Sequence, residues 1–225
     1  MDIREELISI GRRLAEHKLI IGPGGNISAR DPHDKNAIYI KASGKCFESA
    51  GFGDYIKIDI LSGKVVDKRD ELLRPSCEIN MHLACYRCRK DVNAVIHTHP
   101  VYATVWGFTG ETLIQFTPDF VAIVNSDVPV VRYILPGTKL LADEVEKAIK
   151  KGANGVILAN HGLVTVGSNL LEAFYRTLLI EDHCKMAIFG KLIGKFRFFT
   201  EKEINEIDNL SAERYRRKLL KAKKV

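Results

Sequence analysis

The chain has 225 residues, 46% of them hydrophobic, and a formal charge of +6. That is enough for one large domain with a full core and argues against a disordered chain. No apolar run approaches the roughly 18 residues of a membrane span, so no membrane partner is expected. The five cysteines stand at irregular spacing and form no disulfide framework. The segment Met1 to Glu6 lacks the basic-then-apolar order of a signal peptide. A reduced, cytoplasmic protein is therefore expected, and the basic excess suits an anionic small substrate.

Asp2 and Glu5 predict a capping box that opens a helix on Ile3, Leu7, Ile10 and Leu14 and ends near Lys18. Gly22-Pro23-Gly24-Gly25 predicts a tight turn. Ile38-x-Ile40 and Ile56-x-Ile58-x-Ile60 alternate as half-buried strands, and Leu61 to Lys64 reads as a hairpin turn into Val65-Val66. Pro75 and Ser76 open a helix to about Arg89, and an apolar strand from Ala94 follows. Val128 to Tyr133 reads as an edge strand, because Pro129 cannot donate to a ladder. Thr138 caps a helix bearing Leu141, Val145 and Ala148, which stops at Gly152. Gly155 to Ala159 reads as a buried strand, and Ser168 as the cap of a long helix to about Gly190. The last residues, with Arg214, Arg216, Arg217, Lys218, Lys221, Lys223 and Lys224, read as a solvated, partly frayed terminal helix. No nucleic-acid motif or aromatic platform accompanies them, so no nucleic-acid partner is expected. Strands and helices alternate without a strict βαβ rhythm. This predicts a single α/β domain with a mixed, mainly antiparallel central sheet and helices on both sides.

Chemistry gathers where apolar runs end. In Ala94-Val95-Ile96-His97-Thr98-His99-Pro100, His97 and His99 lie two residues apart and would share one face of a strand. A third candidate is His161, where another apolar run, in Val156 to Asn160, ends. Three histidines with a coordination position left open is the arrangement of catalytic zinc. His17, His33, His82 and His183 lack that placement and are read as dispensable for metal. Gly24-Gly25-Asn26-Ile27-Ser28 and Ser43-Gly44 are turns whose backbone can approach an anion. Ser76 lies near a helix start, where free N–H groups and the dipole favour negative charge. Glu78 stands either as a charge against that dipole or as a general base beside the metal.

In this order, Gly25-Asn26-Ile27-Ser28, Ser43-Gly44, Pro75-Ser76-Cys77-Glu78, His97-Thr98-His99 and Asn160-His161-Gly162 resemble the class II aldolase/adducin-head family. The resemblance spans roughly residues 5 to 190. It implies an aldolase-like domain over 1–195 and a charged helical tail over 196–225. It implies one Zn²⁺ per subunit, or another divalent metal, held by His97, His99 and His161. Substrate phosphate would meet Gly25, Asn26, Ser28, Ser43, Gly44, Ser76 and Cys77, with Glu78 as the acid/base. A homotetramer with active sites between subunits is also implied. Two positions depart from the family pattern. Cys77 stands where a second serine is common, and a thiol is a weak donor. The segment Phe116-Thr117-Pro118-Asp119-Phe120 lacks the catalytic tyrosine of aldolase relatives; Asp119 there is more like the epimerase branch. Tyr215 in the tail is the other candidate for the aldehyde-side acid. The resemblance leads first to a zinc-dependent aldolase that reversibly cleaves a ketose 1-phosphate of the L-fuculose type. The alternatives are a ribulose-phosphate 4-epimerase, a methylthioribulose-phosphate dehydratase and a non-catalytic adducin-like module.

Overall fold

Helix α1 (Ile3–Glu16) buries Leu7, Ile10 and Leu14, and the Asp2 carboxylate caps it by accepting the Arg4 N–H. The chain then runs through β1 (Asn26–Asp31), β2 (Asp34–Lys41), β3 (Tyr55–Asp59), β4 (Val65–Asp67), α2 (Ile79–Cys88), β5 (Ala94–Thr98) and α3 (Val101–Gly107). A π-helical turn at Phe120–Val124 precedes β6 (Val130–Val131), α4 (Lys139–Lys150), β7 (Gly155–Leu158), β8 (Gly162–Gly167), α5 (Leu170–Ile193), α6 (Glu201–Asp208) and α7 (Ser211–Lys221). This computed structural model describes residues 2–194 and 197–223. The expected boundary at 195/196 and Lys224 lie outside the described residues.

The strands form one eight-stranded sheet in the order β4-β3-β2-β1-β5-β8-β7-β6. Every pairing is antiparallel except β6 with β7. The expected α/β fold with a mixed, mainly antiparallel sheet is therefore present, and β6 does lie at an edge. Strand alternation divides the core between the two faces. Val95 joins Ile38, Ile40, Ile56, Met81 and Val145 under α2 and α4. Ala94 and Ile96 join Ile27, Leu7, Leu14 and Phe174 under α1 and α5. Position 97 has the parity of Val95, so His97 faces the α2 side.

Some boundaries differ from the sequence reading. Helix α2 begins at Ile79, with Glu78 as its N-cap residue rather than inside the first turn. Helix α5 is capped by Asn169, whose side-chain oxygen accepts the Glu172 N–H at 2.8 Å. Ser168 is unfit for that role because the Glu172 carboxylate takes both its N–H and its hydroxyl. The basic helix α7 is docked, not frayed: Leu220 is buried, and Asn169 donates to the Leu220 and Lys221 carbonyls.

Candidate metal centre and its surroundings

Three ladders bring the histidines together. His97 pairs with Asn26 of β1 on one side and Val164 of β8 on the other. His99 follows directly after β5. His161 sits in the β7–β8 turn behind Asn160, which adopts a left-handed φ of 59°, a conformation asparagine tolerates. Gly162 lets that turn close on β5: a Cβ there would lie 2.2 Å from the Thr98 carbonyl oxygen. Gly25, at φ 61°, holds the other flank, where a Cβ would come within 2.7 Å of the His97 carbonyl oxygen. One ligand atom from each of His97, His99 and His161 can lie within 4.8 Å of the others, a possible metal site.

Glu78 reaches this cluster from the start of α2. Its Oε2 lies 3.1 Å from His97 Nε2 and accepts from Asn26 Nδ2 at 3.0 Å. Burial would raise its pKa, but the charge and hydrogen bond of His97, then His161 and Asn26, outweigh it. The carboxyl is held well below the usual range. Burial, then the His97 charge, pushes the His161 imidazole down to about 4.

The donor set calls for a cation. His97 Nδ1 lies 3.0 Å from the Leu163 carbonyl, which can only accept, so Nδ1 carries the proton. Were His97 neutral, its Nε2 lone pair would point at the Glu78 carboxylate 3.1 Å away, with His99 Nε2 at the same distance. Two acceptors then face each other, and a positive charge at Nε2, from a bound cation or a proton, removes the conflict. Glu78 Oε1 and His161 Nδ1 are also buried without a hydrogen-bond partner.

The expected anion turns gather at this same sheet edge. Gly25 immediately precedes β1 and Asn26 starts it, while Ser43 and Gly44 follow β2 and are exposed. The Ser43 N–H donates to the Arg74 carbonyl, and Ala42 bridges to Pro75, so the loop before Ser76 and Cys77 is tied to the β2 turn. Cys77 is exposed; Ser76 is buried and its hydroxyl accepts the Glu78 N–H at 3.3 Å.

Two of the phosphate assignments need correction. Ser28 is 0% exposed, and its hydroxyl is engaged by His82 Nδ1 at 2.7 Å and by the Tyr86 hydroxyl at 2.9 Å. It points under the sheet and not at a ligand. The Asn26 amide is also committed, to Glu78 on one side and His82 on the other, so this turn offers an anion its backbone. His82 and Tyr86 went unread as site residues. The signal was available: Glu78, His82 and Tyr86 are spaced i, i+4, i+8 and share one helical face.

Asp119 and Tyr215 lie elsewhere. Asp119 is exposed and pairs with Arg216 at 2.5 Å, and Tyr215 beside it is 63% exposed. No hydrogen bond or ion pair among the described residues joins either to the histidines. His183 is buried against Phe116 and Phe120, and its Nε2 meets the Thr117 hydroxyl at 2.8 Å. His17, His33, His82 and His183 are all absent from the histidine cluster.

The Class II Aldolase and Adducin N-terminal domain model matches residues 5–188. An L-fuculose phosphate aldolase of Methanococcus maripaludis is 35% identical over 184 residues, 81% of this chain and 93% of that one. A 3-oxo-tetronate 4-phosphate decarboxylase of Haemophilus influenzae is 30% identical over 215 residues, 92% of this chain and 96% of that one. A solved L-fuculose 1-phosphate aldolase superposes with a TM-score of 0.84 at 34% identity, covering 94% of this chain and 95% of that one. The chain thus belongs to the class II aldolase and adducin N-terminal domain family and stands among its lyases.

Proposed function

We propose that this chain is a divalent-metal-dependent, first of all zinc-dependent, aldolase. It reversibly cleaves a ketose 1-phosphate of the L-fuculose type into dihydroxyacetone phosphate and an aldehyde. The observation that carries this reading is the clustering of His97, His99 and His161, with the buried carboxylate of Glu78 against His97 and His161, at the sheet edge where the small-residue turns gather. A cation held by the three imidazoles supplies Lewis-acid stabilisation of charge that develops on the substrate's oxygens.

The chain's own residues supply the rest. Backbone N–H groups at Gly25, Asn26, Gly44 and Cys77, with the Ser76 and Ser43 hydroxyls, take the phosphate, whose charge the start of α2 favours. In cleavage the substrate hydroxyl at the breaking bond loses its proton on the aldehyde side. The bond's electrons pass to the carbon beside the ketone, and Glu78, entering cleavage in its protonated form, delivers its proton to that carbon and is left a carboxylate; in condensation that carboxylate first removes the same proton and each step reverses. For the aldehyde side we propose Asp119 and Tyr215, presented to the site of a neighbouring subunit in a homotetramer. Both are exposed, and the Arg216–Asp119 pair keeps them on one patch. The reading fits a cytoplasmic enzyme of sugar-phosphate metabolism.

The Haemophilus relative's name shows that neighbouring family members run other reactions, and Asp119 keeps the 4-epimerase as the second reading. The test is a panel of ketose phosphates with the metal-loaded protein, products identified by mass. Release of dihydroxyacetone phosphate supports the aldolase. Interconversion of C4-epimeric pentulose 5-phosphates with no triose released would replace it by the epimerase. Loss of water or of carbon dioxide would replace it by a dehydratase or decarboxylase, and purified protein without stoichiometric metal would point to a non-catalytic module.

A further inference from the structure

Beneath Glu78 runs a line of four polar side chains that the proposed chemistry does not touch. Asn26, Ser28 and His82 are at most 3% exposed, as is Tyr86. A buried polar line of this kind is costly unless every member is satisfied, and here each bond dictates the next. A carboxylate can only accept, so Asn26 presents Nδ2 to Glu78 Oε2 at 3.0 Å. Its Oδ1 therefore faces His82 Nε2, which must carry the proton for that bond. Burial above all, then the His97 charge, pushes the His82 imidazole down to about 3. It is neutral near pH 7, so with Nε2 protonated its Nδ1 is a bare acceptor. The Ser28 hydroxyl donates to Nδ1 at 2.7 Å, and the Tyr86 hydroxyl donates to Ser28 Oγ at 2.9 Å.

We propose that Tyr86, Ser28 and His82 form a one-way hydrogen-bond chain that acts as a positioning unit. It fixes the Asn26 amide with its N–H toward Glu78, and so fixes the orientation in which Glu78 works. His82 is thus a positioning residue for the base. Without the Ser28 hydroxyl, His82 is free to move its proton to Nδ1. Asn26 then turns its oxygen toward Glu78, and an attractive contact becomes a repulsive one. Removal of such supporting partners costs about 10- to 100-fold in activity. The reorientation acts on the proton transfer and leaves the phosphate turns in place, so the loss belongs in kcat and not in KM.

This inference rests on the reading of Glu78 as the base, and the experiment separates the two. Nitrogen-15 NMR of the metal-loaded wild type is expected to show His82 as a neutral imidazole with Nε2 protonated throughout pH 6 to 8. Ser28→Ala is expected to lower kcat by about tenfold or more with KM within about twofold of wild type. It is also expected to mix the His82 tautomers. His82→Leu is expected to lower kcat further, and His82→Gln, which keeps a donor and an acceptor, to recover part of the loss. A His82 protonated at Nδ1 in wild type overturns the proposal whatever the kinetics do. So does Ser28→Ala with wild-type kcat, or His82→Gln no better than His82→Leu. Glu78→Gln, measured beside them, reports on the base alone: its retention of full activity would remove the base reading, while the tautomer spectrum still decides the chain.

Discussion

His183 offers a direct check on the burial described here, at a distance from the metal ligands. It is 1% exposed, packed against Phe116 and Phe120, with the Leu179 carbonyl and the Thr117 hydroxyl on its two nitrogens. The carbonyl fixes the proton on Nδ1, so Nε2 accepts from Thr117 and the neutral ring is fully satisfied. Burial pushes its pKa down to about 4, against smaller opposing effects from the Leu179 carbonyl and Asp119. The unfolded chain takes up a proton near pH 6.5 while the fold resists until about 4. The group's contribution to stability is therefore full above about pH 6.5. It is lost as pH falls toward 4, and it is constant below that. At pH 4.5 the loss amounts to about 2–3 kcal/mol, from 1.36 kcal/mol per pKa unit. His82, pushed down to about 3, adds a loss of similar size at that pH. Together they come to about 5 kcal/mol, a large share of the roughly 5–15 kcal/mol that a domain possesses. The assay is urea unfolding at pH 7.5 and 4.5 with chelator present, since ligand protonation also couples metal binding to pH. His183→Gln cannot titrate, so the gap between the two pH values is expected to shrink by about 2–3 kcal/mol. Shared acid effects, including those of the depressed carboxylates, cancel in the comparison. A gap unchanged within about 0.5 kcal/mol would show that His183 is not held neutral in the fold.

Much of the candidate metal site was legible because its residues end apolar runs. Ala94-Val95-Ile96 and Val156-Ile157-Leu158 announce buried strands, and a strand must end at a sheet edge, so His97, His99 and His161 could be placed at one edge before any fold was known. Strands β1 and β8 were harder. Asn26 and Ser28 are polar yet buried, so β1 shows no clean apolar alternation, and β8 is buried along its whole length. A strand covered on both faces carries no two-residue signal. The inward aim of Ser28 was hidden for the same reason. In sequence, Asn-x-Ser beside glycines reads as an open turn. In the fold β1 lies between β2 and β5, and only the pairing partners decide which face Ser28 takes. The docking of α7 was also hidden, because it depends on Asn169 and Leu220, 51 residues apart, and composition showed only charge.

The remaining expectations concern the site itself. His97→Ala should lose bound metal, measured by elemental analysis of the purified protein; stoichiometric zinc in that variant would sink the triad. Glu78→Gln should lower turnover by about 10²- to 10⁴-fold with metal content and circular dichroism unchanged, and activity within a few-fold of wild type would leave Glu78 a helix-terminus charge. Gly162→Ala forces a Cβ to within 2.2 Å of the Thr98 oxygen; β8 must shift, costing about 1–3 kcal/mol in urea unfolding and weakening metal retention through His161, so unchanged stability would contradict the close strand approach. Asp119→Asn bears on the aldehyde side. Its pair with Arg216 is solvent-exposed on both partners, and such pairs contribute about 0–1 kcal/mol. The fold should therefore tolerate the change with little shift in melting temperature, and any large kinetic effect must come from chemistry. If Asp119 serves a neighbouring subunit's site, Asp119→Asn should slow cleavage and condensation together, because one group handles the same proton in both directions. Arg216→Ala separates this from the ion pair, since it breaks the contact and keeps the carboxylate. Equal losses in both variants would reduce the role of Asp119 to holding α7. No loss in Asp119→Asn would make it a turn residue and move the aldehyde-side acid to Tyr215, where Tyr215→Phe should then abolish what Asp119→Asn spares.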